Sequence, residues 1–313
     1  MAARADHSST NAIAADLIAV LVAVTNGAPQ VMTIEEGQAL PSGPFELGHR
    51  SLQTGLRAWV EEQTHHPLGY LEQLYTFADR DRSETAQRII SISYLGLTRE
   101  KTQEGAREAG WRNWYEYFPW EDHRTGTPAL IADLLKPRLL AWADMADDVR
   151  LREERRRRVA IAFALEGASW NEELTLQRYE LLHEAALTDE ARRGGRVPQA
   201  SLLPGRVMSG DHRRILATGV ARLRAKIKYR PVVFELMPPA FTLLQLQRAV
   251  EALAGRLLHK QNFRRLIEQQ ELVEETGAST ADTGGRPAKL FRFRHTVLAE
   301  RAVSGTKLPL ARP

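Results

Sequence analysis

No cysteine occurs among the 313 residues, which excludes a disulfide framework, a thiolate nucleophile and thiolate metal ligands. This fits a cytoplasmic protein. Long apolar runs are missing too. The most apolar early stretch, residues 12–24, contains Asp16 and falls short of the roughly 20 residues that span a bilayer. It also lacks the basic-then-apolar order of a secretory signal, so neither a membrane span nor an export leader is expected. A His-Glu-x-x-His pattern is absent; His65 and His66 are adjacent, their side chains diverge, and they read as residues of a helix end. Neither sign of charge dominates, with 43 basic against 39 acidic residues.

What is present is enough apolar sequence, 43% of the chain, for two packed domains of ordinary size. The charge is uneven along the chain. Residues 241–313 hold 12 lysines and arginines against 7 acids, whereas the rest is close to neutral. A basic end on a neutral body points to a polyanion-binding appendage.

The first segment reads as α+β. Apolar runs at 17–24 and 31–34 flank Asn26-Gly27, a strong hairpin signal because both residues tolerate positive φ. A Gly/Pro/Ser loop follows at 37–48. Ser51 can cap a helix from Leu52 to about Thr64, with Leu52, Leu56, Trp59, Val60 and Gln63 on one face and an Arg57–Glu61 pair on the surface. Residues 71–77 and 88–97 predict two further strands.

The loop and helix resemble the Nudix signature: Gly, five residues, Glu, seven residues, Arg-Glu, an apolar residue, any residue, Glu-Glu, any residue, Gly, then an apolar residue. Gly43, Arg57, Trp59, Glu61 and Glu62 fall on it. His49 replaces the first glutamate, Ala58 the glutamate after Arg57, Thr64 the second glycine and His65 the last apolar residue. In Nudix hydrolases these carboxylates hold a divalent metal against a diphosphate, work that needs several hard oxygen ligands. Glu61 and Glu62 alone point about 100° apart on a helix and make a poor metal scaffold.

Residues 111–120 carry six aromatics, suited to core packing, a dimer contact or ring stacking. Residues 129–190 are helical in pattern, interrupted at Pro137, and look like an insertion. Arg155 to Arg158 follow Glu153 and Glu154, which suggests a salt-bridged solvated face. Residues 191–204 read as a loop and 211–228 as a helix.

At the C-terminal end Thr242 can cap a helix over residues 243–253. Gly255 breaks it, Leu257 packs in the turn, and a second helix spans residues 260–269. Phe263, Leu266 and Ile267 face inward. Lys260, Gln261, Arg264 and Arg265 suit base edges and phosphates. A turn at Gly277 leads to the glycines at 284 and 285, flanked by Arg286 and Lys289, and then to an alternating strand: a basic wing.

Taken together, HRSLQTGLRAWVEEQT (49–64), YTFADRDR (75–82), RIISISYLGL (88–97), DHRRILATGVARLRAKIKYRPVVFEL (211–236), FTLLQLQRAVEALAGRLLHKQNFRRLI (241–267) and GGRPAKLFRFR (284–294) resemble the Nudix-related transcriptional regulators of NAD metabolism, the NrtR type, and within it the alphaproteobacterial NadQ branch. The resemblance implies a degenerate Nudix-like sensor over residues 12–238, with a helical insertion at about 129–190, and a winged helix-turn-helix over 239–313. It implies a non-catalytic repressor of NAD biosynthesis genes that binds a palindromic operator as a homodimer. No cofactor is required, and the effector would be ATP, NAD or ADP-ribose. The competing expectations are a Mg²⁺-dependent Nudix hydrolase with an accessory nucleic-acid-binding domain and an RNA-binding or scaffold protein.

Overall fold

The computed structural model describes residues 13–79, 89–100, 109–193, 195, 203–281, 287–294 and 296. Strand β1 (Ala14–Thr25) turns at Asn26 and Gly27, both at positive φ, into β2 (Ala28–Thr33), as the Asn-Gly pair requires. Next come β3 (Ser42–Pro44), α1 (Leu52–Thr64), β4 (Tyr70–Phe77), β5 (Ile89–Leu97) and β6 (Gly110–Asn113). The sheet runs β4-β5-β1-β2-β6, with β3 also paired to β1; the β1–β5 pair is parallel and the others antiparallel.

Because alternate residues face opposite sides of a strand, β1 serves two cores. Leu17, Ala19 and Leu21 pack with Leu56 and Val60 of α1. Ile18, Val20 and Val22 join the larger core on the other face. There α6 (His212–Lys226) crosses β1 at Gly219, where a Cβ would press on Val20.

The helical block, expected as an insertion, comprises a π turn at Ile131–Leu135, α2 (Lys136–Asp144), α3 (Val149–Ala162), α4 (Thr175–Glu184) and α5 (Asp189–Arg193). Pro137 does not interrupt it. The chain stays helical through it, and the π turn directly before it is the kind of irregularity that accommodates a proline within a helical run. Residues 191–193, expected in a loop, extend α5 instead. The arginines of α3 do pair, but with neighbouring helices: Arg156 with Asp144, Arg158 with Glu184, and Arg155 stacked 4.3 Å over Trp142. Among the described residues no ion pair joins them to Glu153 or Glu154, although, beside the Glu184 hydrogen bond, the Glu154 charge helps hold the Arg158 guanidinium protonated.

The aromatic stretch goes to packing. Trp114, Tyr117, Phe118 and Trp120 are fully buried between the sheet and the insertion, so they are neither an exposed dimer contact nor a stacking platform. The same core continues into the C-terminal unit through Phe241, Leu246, Leu253, Phe263 and Ile267. A short 3₁₀ segment, Val232–Leu236, precedes that unit. The unit itself consists of α7 (Leu243–Ala254), α8 (Lys260–Gln269), β7 (Val273–Thr280) and β8 (Ala288–Phe293). Among the described residues no helix is long and apolar enough to cross a membrane.

Candidate functional site

The C-terminal unit presents one helix to solvent and braces it from behind. Thr242 and Gln245 form a reciprocal capping box that fixes the start of α7, with the Gln245 N–H donating to Thr242 Oγ1 (3.1 Å) and the Thr242 N–H to Gln245 Oε1 (2.7 Å). Gly255 ends α7 in the left-handed conformation, φ 71°. The chain then turns within four residues into α8. Phe263 and Ile267 anchor α8 in the core. Lys260, Gln261, Arg264 and Arg265 are all exposed, as the sequence predicts. At about 100° per residue, Arg265 stands opposite the buried seam, Gln261 close beside it, and Arg264 on the flank.

Two inward assignments fail. Leu266 is 51% exposed and Leu257 is 65% exposed. Leu266 lies off the seam set by Phe263 and Ile267. In the turn Leu258 takes the place expected of Leu257, packing on the core while its N–H donates to Glu251 Oε1 (2.8 Å).

The wing is a two-stranded β7–β8 hairpin that Phe241 joins by a single bridge, exchanging backbone bonds with Phe291 at 2.9 and 2.8 Å. Gly277 is not its turn: β7 runs through it to Thr280, and the residue lies where the register shifts, at φ 79°. Lys289 is half a cross-strand pair with Glu275 (2.8 Å). Arg292 pairs with Glu274 (2.7 Å) and Arg294 with Glu271 (3.2 Å). The described wing is thus charge-balanced, where the sequence suggested a bare cationic surface. Arg286 and the two glycines at its tip lie outside the described residues.

At the degenerate Nudix helix, Ser51 caps α1 as expected, accepting from the Thr54 N–H at 3.2 Å. The loop before it is clamped to the helix by Trp59, at the apolar position of the pattern, and by Gln63, at a position the pattern leaves free. Trp59 Nε1 donates to the Pro44 carbonyl (2.9 Å), and its ring lies where a Cβ on Gly43 would have to go. Gln63 brackets Ser42, accepting its N–H (3.0 Å) and donating to its carbonyl (2.7 Å). His49, in the first glutamate position, folds back so that its Nδ1 accepts the Glu46 N–H (3.1 Å) and its ring stacks on Phe45.

Arg57 donates to the carbonyls of Leu68 and Gly69, anchoring the approach to β4; no Arg57–Glu61 ion pair forms among the described residues. Ala58, Glu61 and Glu62 are exposed. His65 caps the helix in the left-handed conformation, while His66 is buried and shares a 2.8 Å hydrogen bond with Thr98 Oγ1. Among the described residues no three His, Asp or Glu groups converge as a metal site would require.

One functional feature escaped the sequence reading. Glu121 is buried and grips two buried arginines: Arg178 Nε donates at 2.5 Å and Arg178 Nη2 at 2.8 Å, and Arg224 Nη1 at 2.5 Å. Burial works to raise the Glu121 carboxyl, but the two guanidiniums overcome it and hold the group below the usual carboxylate range. Arg224 Nε in turn donates to the Leu253 carbonyl (2.9 Å), and Tyr115 Oη to the Ala252 carbonyl (2.7 Å). The end of α7 is therefore tied to α4, to α6 and to the segment that follows β6 through a charge cluster and the Tyr115 hydroxyl. The sequence holds no spacing signal for a contact between residues 121, 178 and 224.

Comparison with known proteins bears on both halves. Residues 233–293 match the family described as the NrtR DNA-binding winged helix domain. A curated relative, the ADPR responsive transcriptional repressor NtrR of Acinetobacter baylyi, is 43% identical over 83 residues, 26% of this chain and 33% of that protein. The chain thus spans about a third of the length of the curated relative it matches. Among solved structures, Shewanella oneidensis NrtR complexed with a 27mer DNA has a TM-score of 0.54 at 18% identity, covering 91% of this chain and 95% of its own. A MutT/nudix family protein from Enterococcus faecalis has a TM-score of 0.53 at 16% identity, covering 90% and 87%. The shared fold is an α+β Nudix-like domain followed by a C-terminal winged helix.

Proposed function

We propose that this chain, which joins a Nudix-like domain to an NrtR-type winged helix, is a ligand-responsive DNA-binding transcriptional regulator without hydrolase activity. The observation that carries the reading is α8. Its Phe263 and Ile267 seam is fixed in the core, and Gln261, Arg264 and Arg265 project from the outer side. A rigid helix with exposed amide and guanidinium groups suits the donor and acceptor code of the major groove. One winged helix reads few base pairs, so a homodimer on a palindromic duplex completes the site.

The effector is an adenine-containing nucleotide. ADP-ribose is favoured over ATP and NAD by the name of the Acinetobacter relative, which also supports repression as the sign of the response. The targets would be genes of NAD synthesis, and the protein would act in the cytoplasm. The exposed pair Glu61 and Glu62 is too sparse for the metal-dependent alternative, since Ala58 and His49 remove two ligands.

The test is capture of host genomic fragments by the full-length protein, repeated with ADP-ribose, ATP and NAD. Enrichment of an inverted repeat, lost or strengthened with one nucleotide, is the expected result. Recovery of random fragments under all conditions would overturn the proposal.

A further inference from the structure

Behind α8, between the C-terminal end of α6 and the inner sides of α7 and α8, lies a half-open cavity of about 540 Å³. That volume is in the range of small-molecule sites. Its lining is mostly apolar, with Phe234, Leu246, Val250, Phe263 and Ile267 and the half-exposed Leu266. Its charged lining is lopsided. Arg224, Lys228, Arg230 and Arg256 face a single carboxylate, Glu172.

Most of these cations are already engaged. Lys228 contacts Glu172 (2.9 Å) and Glu173 (2.6 Å), Arg256 lies 3.7 Å from Glu172, and Arg224 holds Glu121. Arg230 forms no ion pair among the described residues; it is exposed and lines the cavity beside Tyr229, and its charge is also felt by Lys226 and Tyr70. An apolar chamber with one uncommitted guanidinium selects for an apolar body carrying one anionic group. It selects against a nucleotide, whose ribose hydroxyls and phosphates would find few partners inside.

We infer that this cavity is a binding site for a small amphipathic monoanion, distinct from any nucleotide site in the Nudix-like domain. The occupant would lie against Phe263 and Ile267, the residues that seat α8, and beside Arg224, which joins α7 to Glu121. The binding claim does not depend on DNA recognition and is measured without DNA.

The probe is 8-anilinonaphthalene-1-sulfonate, an aromatic body with one sulfonate, titrated into the full-length protein and followed by fluorescence, with decanoate as competitor. Saturable one-to-one binding displaced by decanoate is expected. Arg230→Ala should weaken it about tenfold, the value of one charge-assisted hydrogen bond. Val250→Trp, which fills the chamber, should abolish it, and Arg157→Ala on the remote surface of α3 should leave it unchanged. Circular dichroism establishes that each variant is folded, and Arg230→Ala, at the exposed mouth, keeps the test decisive if Val250→Trp is not. Enhancement that is non-saturable, or that is unaffected by Arg230→Ala, would overturn the inference. So would sedimentation showing that the chamber is closed by a second copy of the chain and takes up no probe. A protein that binds the probe but no specific duplex would keep this site and discard the regulator reading.

Discussion

Arg265 stands on the side of α8 opposite Phe263 and Ile267, and Gln261 lies one turn before it. Replacing Arg265 with Ala should cost about 1–3 kcal/mol on the selected duplex and much less on a scrambled one, as measured by fluorescence anisotropy. The wing behaves differently. Exposed ion pairs are worth little, so the acids of β7 contribute little to the fold, but Glu275 and Glu274 stand beside Lys289 and Arg292, the cations of β8. Converting Glu274 and Glu275 to Gln together should tighten binding to both duplexes by similar factors and steepen its salt dependence. Lys289→Ala, removing a cation already paired, should weaken both only slightly. A specific gain confined to one duplex would contradict this assignment. The exposed side of α8 was legible because helical phase follows from sequence alone. The wing pairs were not, because partners 14 to 23 residues apart meet only through strand register and chain reversal.

At the scale of elements, the caps and turns were the legible part. Asn26-Gly27, Ser51, Thr242 and Gly255 each punctuate the chain where local backbone chemistry demands it. What local chemistry cannot convey is which helix meets which. The arginines of α3 found partners on α2 and α4, and Gly43 was matched to a Nudix position although its role here is to admit the Trp59 ring. The Glu121 cluster belongs to the same class, since its three residues come from a loop and two distant helices. Glu121→Gln would leave Arg178 and Arg224 buried without a counter-charge and should destabilise the protein by about 3–5 kcal/mol. A urea melt measures this. A loss below about 1 kcal/mol would show that the cluster does not hold α7 in place.

Across the whole molecule, one core runs from the sheet into the winged helix, so loosening of the Nudix-like domain by acid would reach the C-terminal unit. His212 starts α6 and its Nδ1 accepts the Leu40 N–H (2.9 Å), which requires the neutral ring; burial pushes its pKa from 6.5 down to about 4. The folded state binds this proton less readily than the unfolded chain. The stabilisation is complete above pH 6.5 and drains as the pH falls towards 4, by up to about 3 kcal/mol. Glu121 and Glu172, held below the usual carboxylate range against burial by Arg178 and Arg224 and by Lys228 respectively, add losses of the same sign at lower pH. The thermal midpoint should therefore drop between pH 6.5 and 4.5. His212→Asn, whose side-chain oxygen can accept the same N–H, should flatten that drop. An unchanged pH profile in the variant would remove His212 from the account.

The central claim is that a non-hydrolysing Nudix-like domain governs a sequence-reading winged helix. The most direct test is one anisotropy titration of the full-length protein on the selected palindromic duplex and its scrambled counterpart, with and without ADP-ribose in Mg²⁺ buffer, with the nucleotide assayed in the same samples afterwards. The account predicts tighter binding to the palindrome, an affinity shifted by ADP-ribose, and nucleotide recovered intact. Equal binding to both duplexes with ADP-ribose consumed would contradict it.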